Sequence, residues 1–241
     1  MWIDTTNLSK EDFMSGQTLL IHKEKNWTSF DVVKKIKNLI KERFKIKKIK
    51  VGHAGTLDPL ATGLLIICTG KATKKIYKIQ NQKKEYKGEL ILGATTPSFD
   101  LETEIDKTFD YSMITKKEIL NTTKLFFGEI LQKPPIFSAI KVNGERLYKK
   151  ARRGEEIEIK SRKVIVHNFK VTEIKTPKIK FTIECSKGTY IRSIAHDFGV
   201  KLNNGAFLSD LIRTKIGNFN INDAKKIDEF KKELNSTKSL T

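Results

Sequence analysis

Apolar residues recur at helical spacing over Val32, Val33, Ile36, Leu39, Ile40 and Phe44, with lysines between them. This pattern predicts an amphipathic helix laid against a core. Thr28 and Asp31 precede it at the spacing of a capping box. Leu64-Leu65-Ile66-Ile67-Cys68 is apolar without a break and reads as a buried strand, although so short a run does not exclude helix. Tyr86 to Gly93 reads as another strand. Thr115 and Glu118 open a second helix that Gly128 closes, offering Ile119, Leu120, Phe126 and Phe127 for burial. Ile179, Phe181, Ile183 and Cys185 alternate with Lys180, Thr182, Glu184 and Ser186, the period of a strand with one wet face. Gly188 marks a turn, after which Ile191, Ile194, Ala195, Phe198 and Leu202 form one helical stripe. Strands and helices mix without strict alternation, which predicts an α+β fold on a mixed or largely antiparallel sheet.

Charge adds a partner to this picture. The 241 residues carry 47 Lys plus Arg against 28 Asp plus Glu, a formal net charge of +19. Such an excess favours a polyanion, although a lysine-rich proteome would supply part of it. No apolar run is long enough to span a bilayer, and no lipidation motif is present, so no membrane partner is expected. Met1-Trp2-Ile3-Asp4 does not read as a secretion leader. Cys68 and Cys185 each sit in an apolar strand-like run, and they read as buried reduced thiols in a cytoplasmic protein. The four histidines show no ligand spacing with cysteine. Gly70-Lys71 lacks the rest of a phosphate-binding loop, and there is no dinucleotide fingerprint. No cofactor and no metal are predicted.

The candidate chemistry lies in Gly52-His53-Ala54-Gly55-Thr56-Leu57-Asp58-Pro59-Leu60-Ala61-Thr62-Gly63. Pro59 biases Asp58 toward extended backbone. The glycines permit tight turns, and the apolar strand follows directly. A carboxylate on a stiff loop pinned to a sheet suits an acid, base or nucleophile. It reads equally as a loop-capping aspartate before proline.

This run resembles the signature motif of the TruB family of tRNA pseudouridine synthases. Lys84-Glu85-Tyr86, Cys185-Ser186-Lys187-Gly188-Thr189-Tyr190-Ile191-Arg192 and Leu211-Ile212-Arg213 resemble the family in the same order. The resemblance implies the pseudouridine synthase core, a long curved mixed sheet flanked by helices. It implies conversion of uridine to pseudouridine in the T-loop of tRNA, at position 55, on a base flipped from its stack. Asp58 is then the essential carboxylate and Arg192 its charge partner. Tyr86 stacks on the uracil and helps remove the C5 proton. His53 enters the vacated stack, and Leu211 floors the pocket. Without the resemblance these four read as a helix-end arginine, a packing tyrosine, a lone histidine and a core leucine.

RNA contact is expected from Lys133 to Lys163, where ten basic residues face four acidic ones. Lys149, Lys150, Arg152 and Arg153 form its densest cluster, and Pro134 to Ala151 resembles the family's RNA-clasping insertion. A solvated hairpin and charged helix is the alternative reading of the same stretch. Lys23 and Arg213 are expected on the RNA surface as well. Two departures stand out: His22-Lys23-Glu24 lacks a proline usual in relatives, and Ile212 replaces an arginine, at the expense of one phosphate contact. The catalytic domain is expected over 1–228 with the insertion near 130–155. A polar tail is expected over 229–241 in place of the C-terminal RNA-binding domain of relatives. The partner implied is the T-arm of tRNA, bound by a monomer without an obligatory protein partner. Two rivals are an RNA-guided synthase subunit and a non-catalytic protein that binds or folds tRNA.

Overall fold

The computed structural model describes residues 8–236 except 139, 143 and 156. In chain order these form α1 (Lys10–Ser15), β1 (Thr18–Lys23), α2 (Ser29–Phe44), β2 (Val51–His53), β3 (Thr62–Thr69), a 3-10 turn (Gly70–Lys75) and α3 (Ile76–Gln80). Next come β4 (Lys84–Leu92), β5 (Ala94–Thr95), β6 (Lys107–Thr108), α4 (Lys116–Lys124) and β7 (Gly128–Gln132). A small hairpin of β8 (Lys141–Val142) and β9 (Glu145–Arg146) leads to α5 (Leu147–Arg152), β10 (Arg162–Lys175), β11 (Lys178–Cys185) and α6 (Ile191–Lys201). Last are β12 (Ala206–Ile216), β13 (Phe219–Asn220) and α7 (Ile227–Ser236). They fold as two compact units, residues 8–84 with 212–236, and residues 85–211.

In the first unit β3 is central. One edge pairs antiparallel with β1, from Thr18↔Cys68 to Lys23↔Gly63. The other edge pairs with β2 near its end and, in parallel, with β12 at Thr62 and Gly63. This parallel pair makes the sheet mixed. Both faces of β3 are covered, which explains its unbroken apolar run. Leu65 and Ile67 join Phe13, Ile21 and the buried stripe of α2. Leu64, Ile66 and Cys68 join Ala54 and Ile216 on the opposite face. α2 starts on the predicted Thr28–Asp31 capping box. The shorter α1, capped likewise by Ser9 and Asp12, carries a signal of the same kind that the sequence reading passed over. The boundary expected at 228 falls inside α7, whose Phe230 and Leu234 are buried in the same core. Glu229, Lys231 and Lys232, which make 229–236 look like a tail, occupy its wet face.

In the second unit the sheet order is β12-β4-β11-β10-β7, with β10 antiparallel to both neighbours. Phe126, Phe169, Phe181 and Phe198 interlock beneath it. Phe169 contacts each of the other three rings at centroid distances of 5.7 Å. Tilted and edge-on aromatic pairs of this kind add to simple area burial. The helix expected from Thr115 to Gly128 ends at Lys124. Gly128, at φ +83°, opens β7 instead. Only Ile119 and Phe126 of its apolar residues are buried, and Leu120 and Phe127 stay exposed. Leu202 is half-buried rather than part of the core stripe. Both cysteines are buried and neither is in a disulfide.

Candidate active site

The Asp58 loop is tied down along its length by the first unit. Ala54 N–H donates to Ile66 O at 2.9 Å, which continues the β2–β3 ladder into the loop. The Ser29 hydroxyl, at the buried start of α2, accepts from Leu57 N–H at 2.8 Å and donates to Leu57 O at 3.1 Å. Asp58 is therefore preceded by a residue held at both backbone polar groups. A turn closes after it, with Ala61 N–H donating to Asp58 O at 3.1 Å. Asp58 itself is half-buried, while Thr56 and Pro59 are exposed.

Two cations complete the clamp from inside. Arg213, only 1% exposed, donates from Nε to Leu64 O (2.8 Å) and through its two terminal nitrogens to Thr56 O (3.2 Å) and Gly55 O (3.0 Å). The Lys23 ammonium, fully buried, donates to Trp27 O (2.7 Å), Glu24 O (3.0 Å) and Pro59 O (3.2 Å). Asn26 N–H adds a bond to the same Pro59 carbonyl at 2.8 Å. The loop before α2 is thus held by Lys23 and Asn26, although the proline of relatives is missing from it. Burial pulls the Lys23 pKa down to about 8, against the attraction of Asp58, and the Arg213 charge adds to the fall. Expected on the RNA surface, Lys23 and Arg213 are instead interior residues. A strand-borne cation with carbonyls in reach satisfies main-chain groups that a loop would otherwise leave unpaired. Gly63, at φ +103°, lies where a Cβ would stand 2.4 Å from Arg213 O, so only glycine lets β12 run this close. His53 ends β2, and burial lowers its pKa, which favours the neutral ring.

In the second unit, Tyr86 is buried on β4 and Leu211 is buried on β12. Arg192 is not the exposed helix-end arginine that its position alone suggests. It is 3% exposed, and it donates to Ser98 O (3.0 Å) and Phe137 O (2.9 Å), with Nε 3.5 Å from a carboxylate oxygen of Asp100. The 96–103 loop that supplies Ser98 and Asp100 escaped the sequence reading. Its signal was Pro97 beside Ser98, Asp100 and Thr103, a cluster of turn formers that bond to one another here. Phe99 takes a left-handed φ of 64° and stacks on His196 at 3.9 Å.

The insertion is a hairpin and a short helix. Arg153 makes a double contact with Glu145, at 2.8 Å for each nitrogen, and a further one with Glu155 at 2.7 Å. Lys150 also pairs with Glu155, at 3.4 Å. These two members of the expected RNA cluster are thus engaged by carboxylates of their own segment. The side chains of Lys149 and Arg152 lie outside the described residues.

A stiffly held carboxylate loop on a mixed α+β sheet defines a class before it defines a protein. The fold is shared with solved complexes that contain Cbf5. The crystal structure of the archaeal box H/ACA sRNP Nop10-Cbf5 complex matches with a TM-score of 0.69 at 22% identity, covering 99% of this chain and 60% of that one. A Cbf5-Nop10-Gar1 complex matches with a TM-score of 0.68 at 26% identity, covering 97% of this chain and 64% of that one. This chain therefore spans somewhat less than two thirds of those structures' chains. The profile of the TruB family pseudouridylate synthase N-terminal domain matches residues 41–191. Flavobacterium johnsoniae tRNA pseudouridine synthase B is 55% identical over 228 residues, 94% of this chain and 100% of that protein. The Phocaeicola vulgatus protein of the same name is 50% identical, covering 91% and 93%. The chain belongs to the TruB family of pseudouridylate synthases. No helix among the described residues is long and apolar enough to cross a membrane.

Proposed function

We propose that this chain isomerises uridine to pseudouridine in tRNA, in the T-loop and at position 55. The observation that carries this reading is the Asp58 carboxylate, on a loop fixed by Ser29, Lys23 and Arg213, in a chain so similar to proteins named tRNA pseudouridine synthase B. The reaction breaks the bond from uracil N1 to the ribose C1′, turns the base and rejoins it through C5. The C5 proton leaves, and N1 gains one. Substrate and product are isomers, so the balance closes without an oxidant, reductant or second substrate. Asp58 acts as the essential carboxylate in this scheme. Tyr86 offers its ring to the uracil, Leu211 an apolar floor, Arg192 the positive charge, and His53 the ring that takes the vacated place in the RNA stack. The protein acts as a monomer and needs no guide RNA or protein partner.

The test is incubation of the purified protein alone with an unmodified tRNA transcript, followed by mapping of pseudouridine. One new pseudouridine at position 55 is expected. Asp58→Asn should yield none while binding tRNA within about tenfold of the parent, roughly 1.4 kcal/mol. Normal turnover by that variant would remove Asp58 from the mechanism. A strict requirement for added guide RNA would favour the RNA-guided rival.

A further inference from the structure

We propose that the exposed lysines following α2 and around the 3-10 turn form the platform that takes the phosphate backbone of the RNA. This rests on the reading of the substrate as tRNA. Residues 43–84 contain eleven Lys or Arg and a single acidic residue, Asp58, whereas an even spread of the chain's 28 acidic residues would place about five there. A lysine-rich proteome adds lysines but does not clear carboxylates from one segment. Lys47, Lys48, Lys50, Lys71, Lys74 and Lys75 are all exposed, and among the described residues none of the six is in an ion pair. Some exposed cations elsewhere are paired, as Lys163 is with Glu129, Lys180 with Glu173, and Arg153 with Glu145.

The fold gathers these lysines. Gly70 N–H donates to Lys50 O at 2.9 Å, and Val51 pairs with Thr69, which brings the 47–50 and 70–75 segments side by side. Ile76 of α3 packs on Gly52, where an added Cβ would meet its side chain at 3.0 Å. Tyr77, 58% exposed on α3, sets a flat ring in the same field, a surface suited to a base or sugar rather than to an acidic protein face. β2 runs from this platform to His53 and into the Asp58 loop, so the platform and the carboxylate are joined by one short strand. Opposing charges on adjoining elements are Glu11 and Asp12 of α1, which packs on the turn, and Glu42 at the end of α2. The Asp12 carboxylate is occupied by Ser9 N–H and hydroxyl. Three acidic groups do not balance six lysines.

The experiment is tRNA binding across a salt series for a fourfold variant, Lys47→Gln, Lys48→Gln, Lys71→Gln and Lys74→Gln. Each lost phosphate contact should flatten the slope of log affinity against log salt by roughly 0.7 to 0.9, so the four together flatten it by about 3. The same four positions changed to Arg should keep the parent slope. Gln at Lys116, Lys117, Lys170 and Lys232, exposed elsewhere, should change it by less than one contact's worth. If the fourfold Gln protein fails a circular dichroism check, the four single variants read the same quantity one contact at a time. A parent slope in the Gln proteins, or an equal loss in the remote set, overturns the platform. Pseudouridine formation by the parent on the same tRNA separates the two readings. A parent that flattens on substitution but makes no pseudouridine refutes the reaction alone. A parent that makes it with an unmoved slope refutes the platform alone.

Discussion

Lys23→Met should make the protein's stability less dependent on pH above neutrality. The Lys23 ammonium is fully buried, its donors are spent on three carbonyls, and its pKa falls from 10.5 to about 8. In the unfolded chain the same lysine keeps its ordinary affinity for a proton. Between those two values the unfolded state therefore holds more protons than the folded one, and stability rises with pH. The burial cost is largest below pH 8 and is relieved as pH climbs toward 10.5. Integrating from pH 7 to 9.5 gives the parent a gain of roughly 2 kcal/mol from this residue. Methionine keeps the stem's volume and removes the titration. The assay is urea denaturation of both proteins at half-unit intervals over that range, with the difference between them read against pH. Other lysines contribute equally to both curves and cancel. The difference should close or widen by roughly 2 kcal/mol in favour of the parent as pH rises. Two curves that stay parallel would refute the account of Lys23 as a buried, strained cation.

Arg213→Met should cost about 2–4 kcal/mol in denaturant midpoint, because three carbonyls of the Asp58 loop and β3 lose charge-assisted donors while relief of the buried charge offsets part of the loss. Its pseudouridine yield should drop even under conditions where it stays folded, and a variant with full activity would detach the clamp from the reaction. Phe230→Ala should cost about 3–5 kcal/mol by opening a cavity in the first unit's core. A loss under 1 kcal/mol would return residues 229–236 to the status of a tail.

The helices and strands whose apolar period is clean were legible in advance: α2, α6, β3 and β11 lie within a few residues of where spacing placed them. Legibility failed where local and tertiary signals compete. Leu120 and Phe127 are as apolar as Phe126, but the turn after Lys124 aims only Phe126 at the phenylalanine cluster. α7 hides its three core anchors among charged neighbours, so composition outweighed the spacing of Ile227, Phe230 and Leu234. For the site, the loop around Asp58 stood out because glycine and proline frame it, while its role came from the family resemblance. Its supports did not stand out. Lys23 and Arg213 are basic residues in a very basic chain, and only the three-dimensional placement of carbonyls around their head groups separates them from a solvated surface.

That misreading bears on how an acidic group can serve a polyanionic substrate. A lone aspartate at the mouth of an RNA site repels the phosphates that must approach it. Here the nearby charges on the same unit are Lys23 and Arg213, with Lys23 close enough to feel Arg213, Asp58 and Asp31. Both donate to main-chain carbonyls, and Asp31 is exposed and bound to Thr28, so beside Asp58 the two buried cations keep the loop the more positive. Because the cations are buried, salt screens them less than it screens surface lysines. The same two side chains therefore do two things at once: they fix the backbone on either side of Asp58, and they leave the loop attractive to an anion. A neutral anchor such as glutamine at either position could supply donors for the first task but not the charge for the second. It follows that neutral replacements which preserve the loop's order should still weaken tRNA binding most at high salt, where the surface lysines are screened and the buried charges are not.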